Sequence, residues 1–102
     1  MSYRLRDTAV LDIQMLYEQG LDRFGRQAAR NYVDRLFRAF ERLDAFPRSA
    51  PRRAMLPYNA RAQALGSHVI LYRIEGGEVV ILRVRDARED WLNEPEIDSG
   101  ED

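Results

Sequence analysis

The run His68-Val69-Ile70-Leu71-Tyr72-Arg73-Ile74-Glu75-Gly76-Gly77-Glu78-Val79-Val80-Ile81-Leu82-Arg83-Val84-Arg85 decides how this chain is read. Two β-branched, apolar segments flank a Gly-Gly pair, and glycine supplies the positive φ that a tight hairpin turn needs. Strands are therefore expected over 68–74 and 78–85. An even-length turn sets Ile74 opposite Val79, Tyr72 opposite Ile81, Ile70 opposite Arg83 and His68 opposite Arg85. One face then holds Val69, Leu71, Val80, Leu82 and Val84, with Arg73 near the turn, and is expected to meet helices. The other holds His68, Ile70, Tyr72, Ile74, Val79, Ile81, Arg83 and Arg85. It is too apolar for a solvated surface, so two covers are expected: the chain's own Met55, Leu56, Trp91 and Leu92, or a partner.

Upstream of the hairpin, Gly66-Ser67 separates it from a shorter strand over 62–65. Residues 47–59 hold three of the four prolines and read as an ordered surface loop anchored by Met55, Leu56 and Tyr58. Before them, Tyr32, Val33, Leu36, Phe37, Phe40 and Leu43 recur at helical spacing, which predicts a helix over 27–45 stopped by Phe46-Pro47. An earlier stripe, Ala9, Ile13, Leu16, Gly20 and Phe24 with Val10 and Tyr17, predicts another helix, N-capped by Asp7 or Thr8 and ended by Phe24-Gly25. So short a junction makes the two helices an antiparallel hairpin. Alternation over 2–6 adds a first strand. The expected fold is a two-layer α+β domain: an N-terminal strand, an antiparallel helix hairpin, then a three-stranded antiparallel sheet.

The chain of 102 residues is sized for one domain, expected over 1–93, with an acidic, disordered segment over 94–102. That segment carries five acidic residues and no basic one, so residues 1–93 hold 16 basic and 12 acidic side chains, a net of +4. All the basic residues are arginine, whose fork suits carboxylates and phosphates. With no cysteine and a single histidine, His68, neither a disulfide framework, a thiolate site nor a histidine-rich metal site is expected, and no cofactor is implied. No transmembrane run or signal peptide is visible, so the expectation is a cytoplasmic protein with no membrane partner.

The ordered set Leu65-Gly66-Ser67-His68-Val69-Ile70-Leu71-Tyr72-Arg73-Ile74, a short acidic-glycine turn, and Ile81-Leu82-Arg83-Val84-Arg85-Asp86-Ala87-Arg88-Glu89-Asp90 resembles the ParE branch of the RelE/ParE toxins. The helix ending in Leu36, Phe40, Leu43 and Phe46-Pro47 resembles that family too. The resemblance implies the toxin of a type II toxin–antitoxin pair. It further implies inhibition of DNA gyrase, neutralisation by a cognate antitoxin, and a hetero-oligomer with that antitoxin.

RelE-type relatives instead cut messenger RNA on the ribosome, which needs a base, an acid and cations at the phosphate. Cations are present, but Asp86 stands where many relatives carry histidine, and the terminal tyrosine of the nucleases is missing. A weakened interaction domain of the same fold is a further alternative. The sequence therefore points to binding, with no catalytic residue assigned. His68, Tyr72, Arg83, Arg85, Arg88 and Trp91 are the expected partner surface, with Arg61 and Arg73 secondary. Direct nucleic-acid binding is not expected, because +4 is modest and stacking platforms are few.

Overall fold

Local patterning produces the elements nearly as expected. The computed structural model describes residues 3–50 and 59–89. They form β1 (Tyr3–Leu5), α1 (Asp7–Phe24), α2 (Arg26–Ala45), β2 (Arg61–Leu65), β3 (His68–Glu75) and β4 (Glu78–Asp86). The anchors expected at Met55, Leu56 and Tyr58, and the segment 94–102, lie outside the described residues.

The N-terminal strand does not stand apart. It joins the hairpin sheet in parallel beside β4, Tyr3 opposite Val79 and Leu5 opposite Ile81, giving a mixed sheet of order β1-β4-β3-β2. β1 is only three residues long, so most of β4 would have a bare edge. The start of α1 completes it. Arg6 N–H donates to the Ile81 carbonyl at 3.0 Å, the Thr8 hydroxyl to the Leu82 carbonyl at 2.9 Å, and Val84 N–H to the Asp12 carboxylate at 2.9 Å. This task explains why Thr8 does not cap α1: the helix starts after Arg6 with no side-chain cap. Beyond β1, this edge of β4 is completed by the start of α1 rather than by another strand.

α1 and α2 are joined by one residue, Gly25, at φ 88°, ψ 172°. That region is essentially open to glycine alone, so Gly25→Ala should cost about 1–3 kcal/mol although the added methyl meets no neighbouring atom. A urea titration reads this directly, and a variant as stable as the parent would contradict the strain argument.

The hairpin register departs from expectation at one point, with wide consequences. Ile74 faces Val79 and Tyr72 faces Ile81 as the turn dictates, but Leu71 faces Arg83 because Leu82 is an extra residue in β4. Past this β-bulge the register is shifted by one, so His68 lies opposite Asp86 and not Arg85. Independently of the bulge, the helices meet the opposite face from the one expected. The helix layer, through Ala9, Ile13, Leu36, Ala39, Phe40 and Leu43, packs on Ile70, Tyr72, Val79, Ile81 and Val84. The bulge moves Val84 onto this face, away from Leu82. Val69, Leu71, Val80 and Leu82 form the other face and bury themselves with Ala60 and Ala62. The covering expected from Met55, Leu56, Trp91 and Leu92 falls outside the described residues.

The α1 stripe is corrected in both directions, and Val10, also expected inside, is 36% exposed. Phe24, expected inside, is 71% exposed at the hairpin tip, whereas Asp12, a charged side chain, is buried in the stripe between Ala9 and Ile13.

Candidate functional site

At the end of the sheet remote from the Gly76-Gly77 turn, three segments converge: the β2–β3 turn, the end of β4, and the α1–α2 junction. β2 and β3 are joined through Gly66 at φ 57°, where an added Cβ would lie 2.8 Å from the Tyr32 hydroxyl of α2. That space is used by a hydrogen-bond relay. The Tyr32 hydroxyl donates to the Leu65 carbonyl at 3.1 Å and meets His68 Nδ1 at 2.7 Å. A hydroxyl has one proton, so when Leu65 is its acceptor the Tyr32 oxygen accepts from a protonated Nδ1. The two rings also pack at 5.4 Å between centroids. The Ser67 carbonyl accepts from Ala87 N–H, which ties this turn to the end of β4.

Opposite His68, Asp86 organises the residues after β4. Its carboxylate accepts the Arg88 backbone N–H at 2.8 Å and the Arg88 guanidinium at 2.9 and 3.1 Å. These bonds hold the Asp86 carboxyl well below the usual carboxylate range. Burial pushes the His68 imidazole below its ordinary value and outweighs the opposing pull of Asp86 and Glu89, while Arg88 adds to the depression. The imidazole is therefore neutral at pH 7.

A base depressed in the folded state binds its proton more readily when unfolded, so stability falls as pH drops through the window just below 6.5. His68→Gln should flatten that segment of the stability–pH curve, and the imidazole should titrate below 6.5 by NMR. A midpoint at or above 6.5 would overturn the burial argument.

Beside this cluster runs a groove of about 290 Å³, lined by the apolar Leu16, Phe24, Ala28 and Ala29 and by Arg23 and Arg88. A second recess shares Leu16, Gln19, His68 and Asp86 with it and extends along α1 to Met15 and Arg85. Met15 and Leu11, one turn apart on α1, are 57% and 58% exposed.

The expected surface residues separate sharply here. His68, Arg85 and Arg88 gather at this end. Arg85 bridges Asp12 at 3.6 Å and Glu89 at 3.1 Å. Tyr72 does not join them: it is fully buried beneath the helices, its hydroxyl donating to the Pro47 carbonyl at 2.8 Å. Arg83 is also inside, clamped by two bonds of 2.7 and 2.9 Å to Asp12. Arg73 is buried at the opposite end and pairs with Glu75. Arg61 donates to the Ala50 carbonyl at 2.6 Å. Trp91 lies outside the described residues. The residues that sequence reasoning passed over are Tyr32 and the α1 positions Met15, Gln19 and Arg23. They read as ordinary helix positions until the hairpin tip is placed beside the sheet end. Among the described residues no group of acidic and histidine side chains is arranged to hold a metal ion, and no helix is long and apolar enough to cross a membrane.

Set against known proteins, residues 3–91 match the family described as the ParE toxin of the type II toxin–antitoxin system, parDE. Toxin ParE3 of Caulobacter vibrioides is 32% identical over 77 residues, 76% of this chain and 77% of that protein. A solved chain from the chromosomal ParDE TA system of P. aeruginosa superposes with a TM-score of 0.73, covering 84% of this chain and 95% of that one; at 22% identity this likeness speaks for the fold.

Proposed function

Because this chain belongs to the ParE toxins of type II toxin–antitoxin systems, we propose that it acts in the cytoplasm as an inhibitor of DNA gyrase and is neutralised by a cognate antitoxin. The observation that carries a binding mechanism, rather than a cleavage mechanism, is the state of the ionisable groups at the His68 end. His68 Nδ1 is committed to Tyr32, Asp86 to Arg88, and Arg85 to Asp12 and Glu89. His68 Nδ1, Asp86 and Arg85 are each engaged by a neighbour, which supports reading the cluster as a shaped surface. Its apolar side chains, Leu11 and Met15, adjoin the recess that holds Arg85, an arrangement suited to an amphipathic segment with acidic residues. We assign the antitoxin to this surface, with His68, Arg85 and Arg88 as its contacts and Arg83 as a support beneath.

The deciding experiment adds purified protein to a gyrase supercoiling reaction. The expected result is loss of supercoiling with accumulation of cleaved DNA, reversed by the antitoxin, and intact messenger RNA in induced cells. Unimpaired supercoiling together with cuts within codons, mapped by primer extension, would replace this reading with a ribosome-dependent endoribonuclease.

A further inference from the structure

At the His68 end one phenol oxygen makes two short polar contacts. The Tyr32 hydroxyl lies 3.1 Å from the Leu65 carbonyl and 2.7 Å from His68 Nδ1. Each contact needs a proton in it, and the phenol has only one. A carbonyl carries none, so the hydroxyl proton goes to Leu65 and the second proton belongs to Nδ1. A neutral imidazole protonated at Nδ1 has its lone pair on Nε2. We propose that Tyr32 is a positioning residue of the docking surface: it holds His68 in this tautomer, so that Nε2 accepts a hydrogen bond from a hydroxyl or amide of the docked segment. This role presupposes that the antitoxin docks here, and it specifies what the surface takes at one atom.

Tyr32 is held by more than its hydroxyl. It projects from α2 into the space left by Gly66, where an added Cβ would lie 2.8 Å from the phenol oxygen. Its ring packs on the imidazole at 5.4 Å between centroids, and the Arg35 guanidinium lies over it at 5.9 Å. The imidazole itself is neutral at pH 7, since burial lowers its pKa by more than Asp86 and Glu89 raise it. Nε2 has no hydrogen-bond partner among the described residues, and the half-buried His68 lines both the groove beside Leu16 and the recess that reaches Met15. The charges around it are of another kind. Arg85 and Arg88 offer protons and no lone pair, while Glu89 and Asp86 are engaged by them. A docked segment therefore meets cations that suit its carboxylates and, at Nε2, an acceptor that suits a neutral donor. A carboxylate opposite Nε2 would have to protonate a base that burial keeps neutral, so this atom separates segments that the arginines alone would take equally.

The full chain has a single histidine, so a long-range nitrogen–proton correlation spectrum reads the two ring nitrogens of His68 without ambiguity. At about pH 8, above the ordinary imidazole value of about 6.5, the free protein should show a protonated Nδ1 and an unprotonated Nε2. In Tyr32→Phe, Nδ1 keeps only the Ser67 hydroxyl, at 3.4 Å, and the proton should redistribute toward Nε2. Adding the antitoxin to the parent protein should move the Nε2 resonance in the direction of an acceptor gaining a hydrogen bond. Tyr32→Phe should weaken antitoxin binding about tenfold, the scale of one hydrogen bond, and should have no further effect in a His68→Ala background. A protonated Nε2 in the free parent, an unaltered tautomer or affinity in Tyr32→Phe, or the same loss with and without the imidazole would each overturn the proposal. The parent spectrum needs no variant, so it stands as a test even where Tyr32→Phe is destabilised. It also needs neither antitoxin nor gyrase, so a wrong tautomer is distinct from failure of the toxin reading, which the supercoiling assay decides.

Discussion

Asp12→Ala should destabilise the domain by about 3–5 kcal/mol, the usual consequence of removing one partner from a buried ion pair. The Asp12 and Arg83 side chains are only 7% and 8% exposed, and the carboxylate accepts both guanidinium bonds together with the backbone N–H of Val84. Alanine would leave a buried guanidinium short of its anion and a buried N–H without an acceptor at once. Urea unfolding should show a lower midpoint with little change in slope. Replacing Asp12 and Arg83 together by leucine is expected to recover part of the loss, because an apolar pair avoids the uncompensated charge. Recovery should stop about 1–3 kcal/mol short, since leucine cannot accept from Val84 N–H. A loss below about 1 kcal/mol for Asp12→Ala would mean that the pair is looser than its geometry indicates.

Tyr72→Ala should cost about 3–5 kcal/mol, the scale for deleting a fully buried aromatic ring. Tyr72→Phe keeps the ring and loses only the hydrogen bond to the Pro47 carbonyl, so about 1 kcal/mol is expected. The pair separates packing from docking. If Tyr72 were a surface contact, both substitutions would weaken antitoxin binding and leave the unfolding midpoint unchanged. The core position requires the reverse: a large shift of the midpoint for alanine, a small one for phenylalanine, and unaltered antitoxin affinity wherever the protein is folded.

These two residues also mark where the sequence was legible and where it was not. Helical spacing located α1 and α2, and the Gly-Gly pair located the hairpin, because those signals are local and each element has one dominant period. The sheet faces were not legible. Val69, Ile70, Leu71 and Tyr72 are all apolar, so alternation cannot say which side meets the helices. The bulge left no mark, since Leu82 resembles the residues around it and nothing in its chemistry announces a doubled position. With the shift overlooked, Arg85 stood opposite His68 in place of Asp86; the outward placement of Tyr72 came instead from giving the helices the wrong face.

A sign was present for the Asp12–Arg83 pair. Each is a charge interrupting an otherwise apolar pattern, one in the α1 stripe and one in β4, and a buried charge of one sign calls for its opposite nearby. The Tyr32–His68 relay offered no such sign, because it depends on how closely α2 approaches the β2–β3 turn at Gly66.

The placement of β1 has a consequence in time. Its pairing of Tyr3 with Val79 and Leu5 with Ile81 joins the beginning of the described chain to nearly its end. During synthesis the helix hairpin can form early from local contacts, but the sheet it rests on cannot close until β4 has left the ribosome. At about 5–20 residues per second, the N-terminal strand waits several seconds with its hydrogen-bonding edge unpaired. The surface built from α1 and the end of β4 therefore exists only once Asp86 has emerged, and a nascent chain that stops short of β4 cannot present it to a partner.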